Sequence, residues 1–311
     1  MSLSGLNRMA RGQVSRLVSA CVLSLAAVAP VAMAREGVDV ERGTSVLARL
    51  VPAEQVEAAA QQQYLQLATE ARSQGALLPD NHPQVLRLRA IASRIIPFAM
   101  DWNPRARQWR WQVIVLNSKE LNAFCMPGGK IAFYTGILDQ LKLTDDEVAM
   151  VMGHEMAHAL REHAREQMGK TSATRMGAGL ISSLFGLGNM GDALLNMGGQ
   201  LLTLKFSRGN ESEADLVGME LAARAGYDPR AGISLWQKMS AAAKGAPPQW
   251  MSTHPSSSTR IEEIQANLPK VMPLYERAPK PDHRFDAPRK IGAAHLSTEP
   301  LAYWGVADSP R

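Results

Sequence analysis

The chain has 311 residues, 46% of them hydrophobic and 20% charged, as expected of a globular protein with room for one large domain and an appendage or for two small domains. Its net charge is a mild +5, it has no Lys/Arg block and no RNA-binding signature, and only 5% of it is aromatic, which argues against a nucleic-acid partner.

The first 34 residues have the pattern of a targeting segment. Arg8, Arg11 and Arg16 give a basic start, Leu17 to Val31 is apolar, and Ala32-Met33-Ala34 is a small-x-small site followed by charged Arg35 and Glu36. This predicts a secretory signal peptide over residues 1–34, cleaved near Ala34. Two rivals are weaker. An uncleaved anchor would have a short apolar run containing Pro30. A lipoprotein site at Val18-Ser19-Ala20-Cys21 would follow almost directly on Arg16, without an apolar run. Cleavage leaves Cys125 alone, so no intrachain disulfide is available and the core, or a bound metal, must hold the fold.

Ala53 to Gly75 is an expected helix, and Asn81 to Met100 a second, with Val85, Leu88, Ile91, Ala92, Ile95 and Ile96 on one face. Trp109 to Leu116 alternates apolar and polar residues and predicts a half-buried strand. Asn122 to Met126 and Lys130 to Thr135 flank Pro127-Gly128-Gly129 and predict two strands joined by a turn. Thr144 and Glu147 form a capping box, and Asp145 and Asp146 fall where a helix dipole favours acids. Val148, Val151, Met152, Glu155, His158 and Ala159 follow at helical spacing, in a helix expected to be mostly buried. Met176 to Phe206 is apolar, rich in Gly and interrupted by Asp192 and Asn196, which suits two short helices better than a membrane span. Further helices are expected over Arg208 to Ala225, ending at Gly226, over Pro229 to Ala243, and over Ser256 to Leu268. From Pro269 to Arg311 the prolines crowd, and this tail is expected to be an extended or loosely packed appendage.

The chemistry concentrates in GHEMAHALREH, Gly153 to His163. His154 and His158 are four apart and share one helix face, so two imidazoles can reach one ion. Glu155 then points to the open side of that ion as a general base, the zincin arrangement. In a buried helix, unpaired His and Glu would be costly, which weighs against a merely His-rich helix. A metzincin would need Gly three and His six residues after His158. Those positions hold Arg161 and Ala164. His163 is one residue off and is assigned to the surface. The third ligand is sought instead on a later helix, in ESEAD, where Glu211 and Asp215 are four apart and face the same way. Glu211 would bind the metal, and Asp215 would accept the free N–H of a ligand histidine and fix its tautomer. The alternative is that Glu211, Glu213 and Asp215 form a solvated acidic face.

These segments, in order, resemble a known family. NAFCMPGGKIAFYTG, GHEMAH, SRGNESEAD followed by Gly218, and THPSSSTRI match the motifs of the CAAX-prenyl-protease and HtpX-like zinc metallopeptidases over about Pro79 to Leu268. The resemblance implies an α+β, mostly helical zincin-type domain over 35–268, with a helical part at about 53–101 and a catalytic core at about 109–268 that combines a small sheet with an active-site helix. It implies one Zn2+ per chain. With the signal peptide, it points to the soluble bacterial periplasmic branch, whose members handle misassembled outer-membrane proteins. Unfolded or misassembled envelope proteins are the implied substrates, and the outer-membrane assembly machinery is a further possible partner. The helical repeats that some members carry are missing, so no role of theirs transfers.

The resemblance also places THPSSSTRI near the metal. His254 would bind the tetrahedral intermediate or cap the zinc at rest. Arg260 would bind substrate or stabilise developing negative charge. The plain alternatives are a helix-start histidine and a structural salt bridge. Asn122, Ala123 and Phe124 belong to an expected edge strand that can pair with an extended substrate backbone. Cys125 is assigned no chemistry. Residues 176–206 have three readings: a flap over the cleft, a peripheral membrane-docking element, or core helices. Two function classes remain. One is a zinc endopeptidase in which Glu155 assists attack by a water on the metal. The other is a chaperone-like binding factor that keeps zinc and cuts little. A binder has no need of Glu155. A membrane-embedded prenyl-protein protease is disfavoured by the lack of clear spans.

Overall fold

The computed structural model describes residues 35–41, 43, 45–176, 201–243, 249–254 and 259–286. The expected signal peptide over 1–34, most of 176–206 and the end of the tail lie outside the described residues.

The fold is α+β and mostly helical. Helices α1 (Ala53–Ser73) and α2 (Pro83–Ile95) precede the strands β1 (Gln112–Leu116), β2 (Ala123–Met126) and β3 (Lys130–Tyr134). Then come α3 (Thr135–Gln140), α4 (Asp145–Leu160), α5 (His163–Met176), α6 (Arg208–Arg224), α7 (Ala231–Ala242), α8 (Gln249–Thr253) and α9 (Thr259–Arg277). The sheet has the order β1-β3-β2, with β1 parallel and β2 antiparallel to β3, so β2 is an edge strand among the described residues. Gly128 and Gly129 take positive φ in the tight connection between β2 and β3, a conformation that suits glycine.

Burial explains where the expected β1 strand was misjudged. It starts at Gln112 rather than Trp109, and all five of its residues are buried. Ile114, Leu116, Met126 and Ala132 pack with Ala60, Tyr64, Ala68 and Ala71 of α1. Val113, Val115, Ile131 and Phe133 belong to the main core with α2 and α4. Helices therefore cover both faces of β1.

The expected helix over Asn81 to Met100 is shorter. His82 caps it, its Nδ1 accepting from the Gln84 N–H at 3.2 Å, and Pro83 stands in the first turn. Pro97 removes a donor, and the chain tightens into a 3-10 turn at Ile96–Asp101. The end of the chain also departs from expectation. α9 runs through Pro269 and Pro273 to Arg277. Its stripe of Ile261, Ile264, Leu268, Val271 and Tyr275 packs on the core across both prolines, and that burial outweighs their cost. Beyond it, the chain returns to the N-terminus of α4. The N–H of Phe285 donates to Asp145, and Arg284 pairs with Asp146.

α4 has the expected capping box, with Thr144 and Glu147 satisfying each other's backbone N–H groups. It packs against β2 of the sheet and against α6. The two helix backbones touch at Gly153 and Gly218. A Cβ on Gly218 would fall 2.5 Å from the His154 amide nitrogen, and one on Gly153 would fall 2.6 Å from the Gly218 carbonyl oxygen. Two glycines are what let α6 lie close enough to put its acids beside the α4 histidines. Among the described residues, no helix is long and apolar enough to cross a membrane.

Candidate metal centre

α4 carries His154 and His158 one turn apart, with their Nε2 atoms 3.1 Å from each other. The first turn of α6, capped by Ser207, brings Glu211 to them, with Oε2 3.6 Å from His154 Nε2 and Oε1 3.4 Å from His158 Nε2. His254, just after α8, closes the group, its Nδ1 3.1 Å from Glu211 Oε1 and 3.3 Å from His154 Nε2. One donor atom from each of these four residues lies within 4.8 Å of the others, and all four side chains are buried.

This donor set fits zinc. Ligand atoms about 2 Å from a tetrahedral ion stand roughly 3.3 Å apart, and imidazole and carboxylate are ordinary zinc ligands. Charge agrees as well. The guanidinium of Arg260 pairs with Glu211 and Asp215, and Glu155 adds a third buried carboxylate beside them. The buried carboxylates outnumber that guanidinium, an excess of negative charge that a dication would offset. Burial drives His158 well below its ordinary pKa against the pull of Glu211, leaving a neutral imidazole with a lone pair to give. Burial works to raise Glu211, but hydrogen bonds from His158 and His254 outweigh it and hold the carboxyl well below its usual range. His254 moves the other way. Burial lowers it, but the charge of Glu155 and the bond to Glu211 more than compensate.

Glu155 is buried and lines a cavity of about 390 Å³ that it shares with His158 and His254. Asn122, Ala123 and Phe124 form part of the same wall, as do Leu201, Leu202 and Phe206. The described end of the 176–206 segment thus borders the cleft. Cys125 lies in that wall too, with its thiol pushed up by burial and by the nearby charge of Glu155, as an inert small side chain would be.

Asp215 Oδ1 lies 3.0 Å from His154 Nδ1, as the expected pairing requires. Arg260 lies on the far side of the two acids. Its guanidinium donates to both oxygens of Asp215, at 2.5 and 2.7 Å, and to Glu211 Oε2 at 2.7 Å. It is 1% exposed, lies over the Trp236 ring and does not line the cavity. The contacts it makes here are those of a buried salt bridge to Glu211 and Asp215. His163, assigned to the surface, is buried against His158.

Trp250 was not anticipated. Its Nε1–H donates to Glu155 Oε1 at 2.5 Å, and its ring stacks on His254 with centroids 4.9 Å apart. The available signal was its spacing, four residues before His254, which puts both on one side of the short α8.

The model of the family described as Peptidase family M48 matches residues 84–268. Curated relatives agree. The mitochondrial metalloendopeptidase OMA1 of Schizosaccharomyces pombe is 36% identical over 197 residues, 62% of this chain and 56% of its own length. Metalloprotease LoiP of Escherichia coli K12 is 30% identical over 212 residues, 65% of this chain and 78% of its own. The β-barrel assembly-enhancing protease of Yersinia pestis is 26% identical over 197 residues, 57% of this chain and 38% of its own. This chain therefore spans about half of the fission-yeast relative and less of the Yersinia one.

Proposed function

The chain belongs to peptidase family M48, and on that premise we propose that it is a zinc-dependent endopeptidase of the bacterial envelope that cuts misfolded or misassembled outer-membrane proteins. One observation carries the reading: His154, His158, Glu211 and His254 converge on a point beside Glu155, at one end of a cleft walled by an edge strand. His154, His158 and Glu211 would hold the zinc. When bound, zinc supplies a Lewis acid that polarises the scissile carbonyl.

The chain's own residues supply the rest. Glu155 takes a proton from the attacking water and passes it to the leaving amine. The Trp250 N–H holds the Glu155 carboxylate in place. His254, between Glu155 and Glu211, is positioned to donate to the tetrahedral intermediate or to close the site at rest. Asn122, Ala123 and Phe124 offer an edge to an extended substrate. Such pairing reads backbone rather than side chains and suits unfolded segments of any sequence. Arg260 and Asp215 keep Glu211 and His154 in place.

The basic start, apolar run and Ala32-Met33-Ala34 support export to the periplasm, and the name of the Yersinia relative supports work on envelope proteins, near the machinery that assembles outer-membrane barrels. The test is incubation of the purified protein with a reduced, unfolded protein and with an unfolded outer-membrane barrel protein, each beside its folded form. Cleavage confined to the unfolded forms is expected. Retention of unfolded chains without cleavage would favour the zinc-containing binding factor instead.

A further inference from the structure

His163 opens α5, five residues after His158, and is 1% exposed. Its Nδ1 lies 3.0 Å from His158 Nδ1, and its Nε2 lies 3.3 Å from Glu213 Oε2. Glu213 in turn pairs with Arg161, which also donates to the backbone carbonyl of Glu41. The Phe206 ring covers His158, with centroids 3.9 Å apart.

Proton placement along this line has one consistent solution. His158 Nε2 faces His154 and Glu211, so Nε2 is the atom that can give a lone pair to a metal. A neutral imidazole that does so carries its proton on Nδ1. That N–H points at His163 Nδ1, which must therefore be bare and accept. The proton of His163 is then on Nε2, where Glu213 accepts it. Each nitrogen has a single role, and the opposite tautomer of His163 would set two N–H groups against each other.

We propose that His163 is a positioning residue that fixes the tautomer and ring orientation of His158, with Glu213 and Arg161 holding His163 in turn. It does for His158 what Asp215 does for His154. The two ligands of α4 are thus oriented by different means, the first by a carboxylate directly and the second by a carboxylate through a neutral imidazole. This inference rests on the reading of His158 as a metal ligand.

The experiment is zinc binding by the purified full chain, measured by competition with a chromophoric chelator, with the visible spectrum of the Co2+ form as a second readout and melting of the zinc-free protein as the control for folding. His163→Leu should bind zinc about ten- to a hundredfold more weakly and alter the Co2+ spectrum. His163→Asn, whose side-chain oxygen can accept where Nδ1 does, should recover most of the affinity. Glu213 is partly exposed, so Glu213→Leu puts little at risk in folding. It should weaken binding several-fold, while Glu213→Gln, still an acceptor, should not. If His163→Leu fails to fold, the two Glu213 variants decide. Wild-type affinity in every His163 and Glu213 variant that folds would overturn the positioning role, as would equal losses in Leu and Asn. His158→Ala separates the two levels of the argument: zinc retained there would refute the ligand reading itself.

Discussion

Replacing Gly218 with alanine puts a carbon where two helix backbones touch. That carbon would lie 2.5 Å from the His154 amide nitrogen and 2.7 Å from the Gly153 carbonyl carbon, whereas ordinary contact begins at 3.4 Å. Both neighbours are backbone, so no side chain can swing aside, and α4 and α6 must part by roughly 1 Å. α4 carries His154 and His158, while α6 carries Glu211 about two turns before Gly218. A metal site tolerates deviations of only about 0.2 Å in ligand distance, so the shift should cost zinc binding more than it costs the fold. Overpacking destabilises by about 1–3 kcal/mol, and alanine's better helix propensity returns about 1 kcal/mol. A drop of a few degrees in the melting temperature of the zinc-free protein is therefore expected, together with a zinc affinity lower by tenfold or more. Gly209→Ala is the control: on the same helix, its added carbon would meet only the Ser207 Oγ, at 3.8 Å. Chelator competition and thermal melting of both variants make the comparison. Wild-type zinc affinity in Gly218→Ala, or an equal loss in Gly209→Ala, would refute the reasoning.

Asp215→Asn should weaken zinc binding by about ten- to a hundredfold, since it disturbs both the Nδ1 partner of His154 and the pairing with Arg260; metal analysis after dialysis against a weak chelator checks it. Trp250→Phe keeps an aromatic ring against His254 but removes the donor to Glu155, so kcat should fall by about ten- to a hundredfold with zinc content unchanged, as expected for a lost hydrogen bond to a carboxylate. Burial pushes the Lys130 ammonium down to about 8, whereas the unfolded chain keeps that proton to about 10.4. Between those values the unfolded state binds more protons, so this group makes wild-type stability rise with pH. Lys130→Met lacks that gain, and its stability relative to wild type should decline from pH 7 to pH 10 in denaturant melts; a constant difference would contradict the assignment.

Local signals carried much of the fold. The Thr144–Glu147 box marked the start of α4, and the i, i+4 spacings of His154 with His158 and of Glu211 with Asp215 put each pair on one helix face, where the structure has them. What escaped depends on partners far along the chain. β1 looked half-buried because its own alternation says nothing of α1, which covers its second face. His163 looked superficial because Glu213, fifty residues on, is what makes its burial affordable. For Arg260 the nearness to the site was legible but its partners were not: only the folded chain pairs it with Asp215 and Glu211. α9 was cut short at Pro269 because two prolines outweighed, on paper, an apolar stripe that continues past them.

The most direct test of the account is Glu155→Gln, purified beside wild type, with zinc content, circular dichroism and cleavage of a reduced, unfolded protein measured on the same samples. Gln keeps the size and the helix but cannot take a proton from water, so the variant should retain fold and zinc while cleavage falls by about a hundredfold to ten-thousandfold. Zinc-replete wild type that leaves every unfolded substrate intact, or a Glu155→Gln variant that cuts as fast as wild type, would contradict it.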